Sequence, residues 1–257
     1  MAAETLQNDR IRSLLVMLAT AATIVFNALA ATGFISGITP KEISDRYPTV
    51  LTPAGYAFSI WTLIYLCLAI FSVMQVLPRN YERFAGIRTL YIVTCVLNCG
   101  WIFFWHHDHP VICLFVIALL AATLVFLLVR SHSIGSRIVK MTFGLYAGWV
   151  TVAAMVNLFV VFDVIGMGQR TDLLTVLGVI AIVIASAIGL YVALKLKNYI
   201  YPLAVAWALT AIAINQGANT AIVVACAIGV IVTLLAALSF VIYLPLSNIP
   251  RGGDEQR

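Results

Sequence analysis

Thr52-Pro53-Ala54-Gly55-Tyr56-Ala57-Phe58-Ser59-Ile60-Trp61-Thr62-Leu63-Ile64-Tyr65 is the stretch whose reading decides the fold. A polar residue followed by proline reads as a helix entry, with Thr52 as N-cap and Pro53 at the first helical position, where its missing N–H costs nothing. Phe58, Trp61 and Tyr65 follow at spacings of 3 and 4, which puts them on one helix face. The residues around them are mostly Leu, Ile, Ala and Cys, so the helix has an apolar surround and one aromatic seam. That seam has to face something.

The rest of the chain supplies the surroundings. Of its 257 residues 63% are hydrophobic and 10% charged, with a mean hydropathy of +1.05. Long apolar runs without the alternation of a barrel strand point to an all-α integral membrane protein. The net charge of +5 is explained by basic loops at a membrane surface, not by a nucleic-acid partner. All five cysteines lie inside apolar runs and read as core-filling residues. The first apolar run is too long for a signal-peptide core and no small-residue cleavage site follows, so it is expected to stay as a spanning helix.

Eight segments are each read as a span: residues 11–35, 54–76, 87–105, 110–129, 138–161, 173–196, 201–214 and 220–244, the seventh being short. The connection 36–51 is the longest and contains Gly37, Pro40 and Pro48, so it reads either as a cover over a pocket or as a plain solvated link. An even number of spans puts both termini on one side. That side carries twelve Lys and Arg residues, Arg10, Arg88, Arg251 and Arg257 among them, against Lys41, Arg46 and Arg170 opposite. The asymmetry predicts cytoplasmic termini. A boundary is expected near Gly166, giving a five-helix bundle at 1–166 and a three-helix membrane extension at 167–257 rich in small-xxx-small pairs such as Ala185/Gly189 and Ala225/Gly229.

Two more helices carry aromatic seams. Asn98, Trp101 and Trp105 are spaced 3 and 4 apart, and Tyr146, Trp149, Ala153 and Asn157 are spaced 3, 4 and 4. An asparagine facing lipid leaves its amide unpaired, so both seams are expected to turn inward. They then form either a ligand pocket or a helix interface that the amides join. His106, His107 and His109, with Asp108, are weak metal candidates, because adjacent residues cannot all point at one ion. No charge lies mid-span and no nucleophile, zinc or phosphate-binding motif is present, which disfavours an ion-coupled transporter and a conventional enzyme.

Leu97-Asn98-Cys99-Gly100-Trp101, the stretch from Tyr146 through Trp149 to Asn157, and the 52–65 entry together resemble the tryptophan-rich sensory protein family, also called the translocator protein or peripheral benzodiazepine receptor family. The resemblance covers roughly residues 11–166. Ala54 stands where the family has a second proline and Tyr56 where it has an entry tryptophan, and the last three helices have no counterpart in five-helix members. The resemblance implies a bundle with a pocket beneath the first loop, binding porphyrins such as haem or protoporphyrin as ligand, with no cofactor required. It implies a sensor or binding role in a regulatory setting, in a bacterial inner membrane, with porphyrin breakdown as a residual activity. The candidate ligand-binding set is Tyr56, Phe58, Trp61, Tyr65, Asn98, Trp101, Tyr146, Trp149 and Asn157. Lys41 or Arg46 would meet propionates. The alternatives are a small-molecule permease and a subunit of a larger membrane assembly; a homodimer or a membrane-protein partner is compatible with each.

Overall fold

The computed structural model describes residues 2–243, with side chains described from 9 to 239. Arg251, Arg257 and the end of the 220–244 segment lie outside the described residues. Ten α-helices run in the order α1 Ala2–Ala31, α2 Pro40–Arg46, α3 Ile60–Met74, α4 Pro78–Tyr81, α5 Arg88–His106, α6 Pro110–Ser131, α7 Arg137–Val164, α8 Thr171–Leu196, α9 Ile200–Asn215 and α10 Thr220–Tyr243. No strand occurs among the described residues.

Each of the eight apolar segments contains a helix among the described residues. Seven are long and apolar enough to cross a membrane, and α9, at 16 residues, is the short one. At about 1.5 Å per residue it is roughly 24 Å long, yet it joins the two ends of the bundle. Near its start, Asn198 Nδ2 donates to Lys140 O at 2.9 Å; at its end, Asn215 Nδ2 donates to Thr52 O at 3.1 Å. The fold therefore has a basic end, with residues 75–88, 131–140 and 195–198, and a roof end, with α2 and residues 47–57.

The helix entry at 52–53 is corrected. Residues 51–54 are a turn and extended chain, Gly55–Ser59 is a 3₁₀ turn, and the α-helix begins only at Ile60. Thr52 does not cap this helix. Its hydroxyl donates to Tyr47 O at 3.2 Å and accepts from the Thr49 N–H at 2.8 Å. The reason is tertiary: the Ala54 N–H is taken by Ala211 O of α9 at 2.9 Å, which holds the segment extended.

The 36–51 connection is structured. Thr39 and Glu42 form a capping box at α2, with the Thr39 N–H donating to the Glu42 carboxylate at 2.6 Å. That backbone hydrogen bond holds the Glu42 carboxyl below its ordinary range. Ile43 and Leu51 are buried, so α2 lies flat on the bundle.

The helices pack α1 against α5 and α3, α5 against α6, α6 against α7, and α7 against α3 and α9, with α8 and α10 closing on α9. Glycines set the α7–α9 distance. A Cβ on Gly148 would lie 2.4 Å from Tyr201 O, and one on Gly144 would lie 2.3 Å from Asn198 Oδ1. The small residues of the extension are also used within the chain, since a Cβ on Gly229 would meet Ser186 Oγ at 2.6 Å and Leu209 Cδ1 at 2.7 Å. Residues 167–243 are thus packed onto the first five spanning helices along α7.

Arg88, read from sequence as one of the surface charges, is fully buried. It donates to Asp9 at 2.6 Å, to Gln75 Oε1 at 2.7 Å and to Tyr81 O at 2.6 Å, and lies over the Tyr81 ring at 4.4 Å. The pair fastens α1, α3, α4 and α5 at the basic end. Removing one member of a buried pair leaves the other charge uncompensated. Arg88→Met is expected to lower stability by about 3–5 kcal/mol, measured by thermal or denaturant unfolding of the full chain in detergent; a loss no larger than a surface substitution would contradict this account.

Candidate functional site

Helix periodicity places the seams where the spacing predicts. Asn98, Trp101 and Trp105 face inward from α5, and Tyr146, Trp149 and Asn157 from α7. Asn98 is fully buried and accepts from Asn27 Nδ2 of α1 at 2.8 Å. Asn157 Oδ1 accepts from Trp101 Nε1 at 3.2 Å, joining α7 to α5. The amides therefore do join helices, and in doing so they turn the rings toward one centre.

That centre is Trp61 of α3. Its ring stacks on Tyr65 at 5.5 Å and on Trp101 at 5.9 Å, and meets Tyr146 and Trp149 edge-on at 5.9 and 6.2 Å. Trp101 stacks in turn on Trp105 at 6.1 Å, and Phe58 meets Trp149 at 6.3 Å. Offset and edge-to-face pairs of this kind contribute about 0.5–1.5 kcal/mol each beyond the area they bury. Three of the buried donors here have no hydrogen-bond partner of ordinary geometry: Asn98 Nδ2, the Tyr146 hydroxyl and Trp149 Nε1.

Two spaces flank the cluster, and Phe58 borders both. One is an enclosed chamber of about 30 Å³, walled by Trp101, Trp105, Trp149 and Asn157 with Ala208 and Ile212 of α9. It has room for about one water. The other is a groove of about 630 Å³ between α1 and α3 under α2, lined by Asn27, Thr39, Lys41, Trp61 and Tyr65. Its size falls in the range of small-molecule sites. Lys41 lines this groove while pairing with Asp45; Arg46 is exposed and lies outside the groove's lining.

Of the predicted set, Phe58, Trp61, Tyr65, Asn98, Trp101, Tyr146, Trp149 and Asn157 are brought together. Tyr56 is not. It sits two residues before Phe58 in the 3₁₀ turn, where each residue advances about a third of a circle, and so it points away, edge-on to Trp207 at 5.2 Å. The histidines do not gather either. His106 Nδ1 lies 2.8 Å from Ile102 O and His107 Nδ1 2.7 Å from Phe103 O, each turned back along its own helix, and His109 is exposed. Among the described residues no three metal-ligating side chains meet.

Sequence reasoning missed the contribution of α9. Trp207 Nε1 donates to Ala57 O at 3.1 Å, and Gln216 Nε2 donates to Thr49 O at 2.9 Å and Thr52 O at 3.1 Å. The signal available was a fifth tryptophan placed outside the bundle that held the other four. The roof is also tied to α5, by Trp105 Nε1 donating to Pro40 O at 3.2 Å and by the Tyr47 hydroxyl donating to Asp108. Burial, then that carboxylate, pushes the Tyr47 hydroxyl up to about 12, so it remains a donor at neutral pH.

A family model described as TSPO-like protein matches residues 13–239, a range that spans the boundary at Gly166 and reaches all eight apolar segments. Neither the curated proteins nor the solved structures yield a match.

If α9 holds the roof, loosening it must show in the 49–57 backbone. Trp207→Ala is expected to speed amide exchange at Ala54 and Ala57 by about tenfold, corresponding to roughly 1.4 kcal/mol, while amides in the middle of α5 keep their protection. Unchanged exchange at both sites would show that the contacts from α9 do not position the roof.

Proposed function

The chain belongs to the TSPO-like protein family, and from that premise we propose that it is a membrane binding protein for an apolar, planar small molecule, a tetrapyrrole, with a sensing role and no chemical step of its own. The observation that carries this reading is the meeting of three indoles, from α3, α5 and α7, beside an open groove walled by Trp61 and Tyr65. Indole and phenol faces suit a flat, polarisable macrocycle.

The groove between α1 and α3 is the place where the ligand docks. Trp61 and Tyr65 form its aromatic wall, Asn27 and Thr39 provide polar anchors, and Lys41 at its edge supplies a cation for a propionate. The half of the bundle toward the basic end supports binding over passage: Phe71, Tyr91 and Phe143 pack there at 4.9–6.0 Å, with Arg88 beyond them. We place the basic end in the cytoplasm, following the excess of Lys and Arg there. A bacterial inner membrane is the compartment that the resemblance implies.

Protoporphyrin is expected to quench tryptophan fluorescence saturably in the purified chain. Trp61→Leu should weaken binding by about tenfold or more, as loss of a central aromatic anchor does, and Trp101→Leu with Trp149→Leu should do the same. Titrations in detergent read this directly. Equal affinity in wild type and in the Trp61 variant would move the site elsewhere.

A further inference from the structure

Asn27 brings a carboxamide from α1 to the wall of the groove, and only half of that carboxamide is used inside the protein. Both hydrogens of Nδ2 are committed, one to Thr23 O at 2.9 Å and one to Asn98 Oδ1 at 2.8 Å. The two bonds fix which way round the amide stands, because only its nitrogen can donate to two oxygens. The remaining atom is the oxygen, and among the described residues nothing donates to Asn27 Oδ1. The residue is 6% exposed, and the surface it keeps belongs to the groove lining. Hydrocarbon tails cannot supply the missing donor. A molecule in the groove can.

The surroundings narrow what that molecule presents. Thr32 and Thr39, the hydroxyls nearer the roof, are engaged: Thr32 donates to Leu29 O at 3.0 Å and Thr39 accepts from the Glu42 N–H at 3.3 Å. Lys41 is the charged group in the lining, and no carboxylate stands there among the described residues. A cationic donor would therefore find no counter-charge beside Asn27, whereas a neutral N–H or O–H needs none. Trp61 and Tyr65 of α3 face Asn27 across the groove as a wall of rings. A flat ring system laid on that wall turns its edge, where such a donor sits, toward α1.

We propose that Asn27 is the specificity residue of the groove, its Oδ1 accepting from a neutral N–H or O–H on the edge of a flat, apolar ring system stacked on Trp61 and Tyr65. The inference rests on the reading of this groove as the docking place and adds to it the feature by which one flat molecule is told from another. A site with an acceptor of this kind rejects an analogue that lacks the donor, because the acceptor is then left unpaired.

The test uses the full chain in detergent and two probes of the same fused-ring outline: carbazole, which carries an edge N–H, and dibenzofuran, which carries a ring oxygen in its place. Equilibrium dialysis, corrected for uptake by protein-free micelles, gives the two affinities. Wild type is expected to hold carbazole about three- to tenfold more tightly, the size of one neutral hydrogen bond. Trp61→Leu should weaken both probes alike, since they share the stacked face. Asn27→Leu should bring the ratio close to one. Because that change also strands Asn98 Oδ1, Asn27→Leu combined with Asn98→Leu removes both partners and gives the same ratio in a chain without the stranded group. Equal affinities in wild type, a preference that survives loss of Asn27, or binding indifferent to Trp61 would each overturn the proposal. Protoporphyrin quenching without a preference for carbazole would sink this inference alone, whereas an Asn27-dependent preference without protoporphyrin quenching would set aside the tetrapyrrole and keep the acceptor.

Discussion

Lipid offers no hydrogen bonds, and that constraint orients this molecule. A polar side chain on a spanning helix has to find its partner inside the protein. Asn27 finds Asn98, Trp101 finds Asn157, Thr20 meets Tyr91, and Thr142 reaches the Cys67 carbonyl at 3.3 Å. Each contact joins two helices, and together they tie α1, α3, α5 and α7. Interhelical hydrogen bonds in membranes are worth only about 0.6 kcal/mol on average, so they do not hold the bundle together by strength. They fix the rotation of each helix about its own axis. With those rotations set, the aromatic seams have no choice but to meet, and Trp61 is the ring on which they meet.

The roof follows a different logic. The chain from Thr49 to Ala57 has backbone groups that no helix satisfies, and at this depth such groups must be paired. Helix α9 provides the partners: Ala211 O takes the Ala54 N–H, while the side chains of Trp207, Asn215 and Gln216 donate to Ala57, Thr52 and Thr49. The same helix puts Ala208 and Ile212 into the chamber wall. A short helix suits this task, since it ends where the roof begins. The extension is therefore bound up with the architecture of the site, which fits a family match that runs through it.

The parts legible in the sequence are those governed by one helix at a time. Spacings of 3 and 4 gave the faces of Asn98–Trp101–Trp105 and Tyr146–Trp149–Asn157 because an α-helix repeats every 3.6 residues whatever surrounds it. The 52–65 stretch obeyed that rule only from Ile60 onward. Before it, α9 overrides the local preference of Thr52 and Pro53, and Tyr56 leaves the site as a consequence. The burial of Arg88 was not legible for a related reason: a charge near a span end is ordinarily a surface charge, and only its partners Asp9 and Gln75 make burial possible. Wherever the outcome depends on a contact between remote segments, the local pattern carries no trace of it.

The dimensions of the two spaces beside Trp61 have a consequence for how a ligand is accommodated. The chamber of about 30 Å³ has room for about one water, whereas the groove of about 630 Å³ is open along α1 and α3. A flat molecule of the kind proposed would therefore meet Trp61 and Tyr65 from the groove side, while Trp149 lies on the chamber side. Trp105 and Ile212 back that chamber, toward α9 and the roof. Asn215 and Gln216 hold Thr52 and Thr49 there and also line a polar recess of about 640 Å³ at the start of α8. Whatever occupies that recess touches the same amides, and a molecule can bias a neighbouring equilibrium only through contacts that differ between its states.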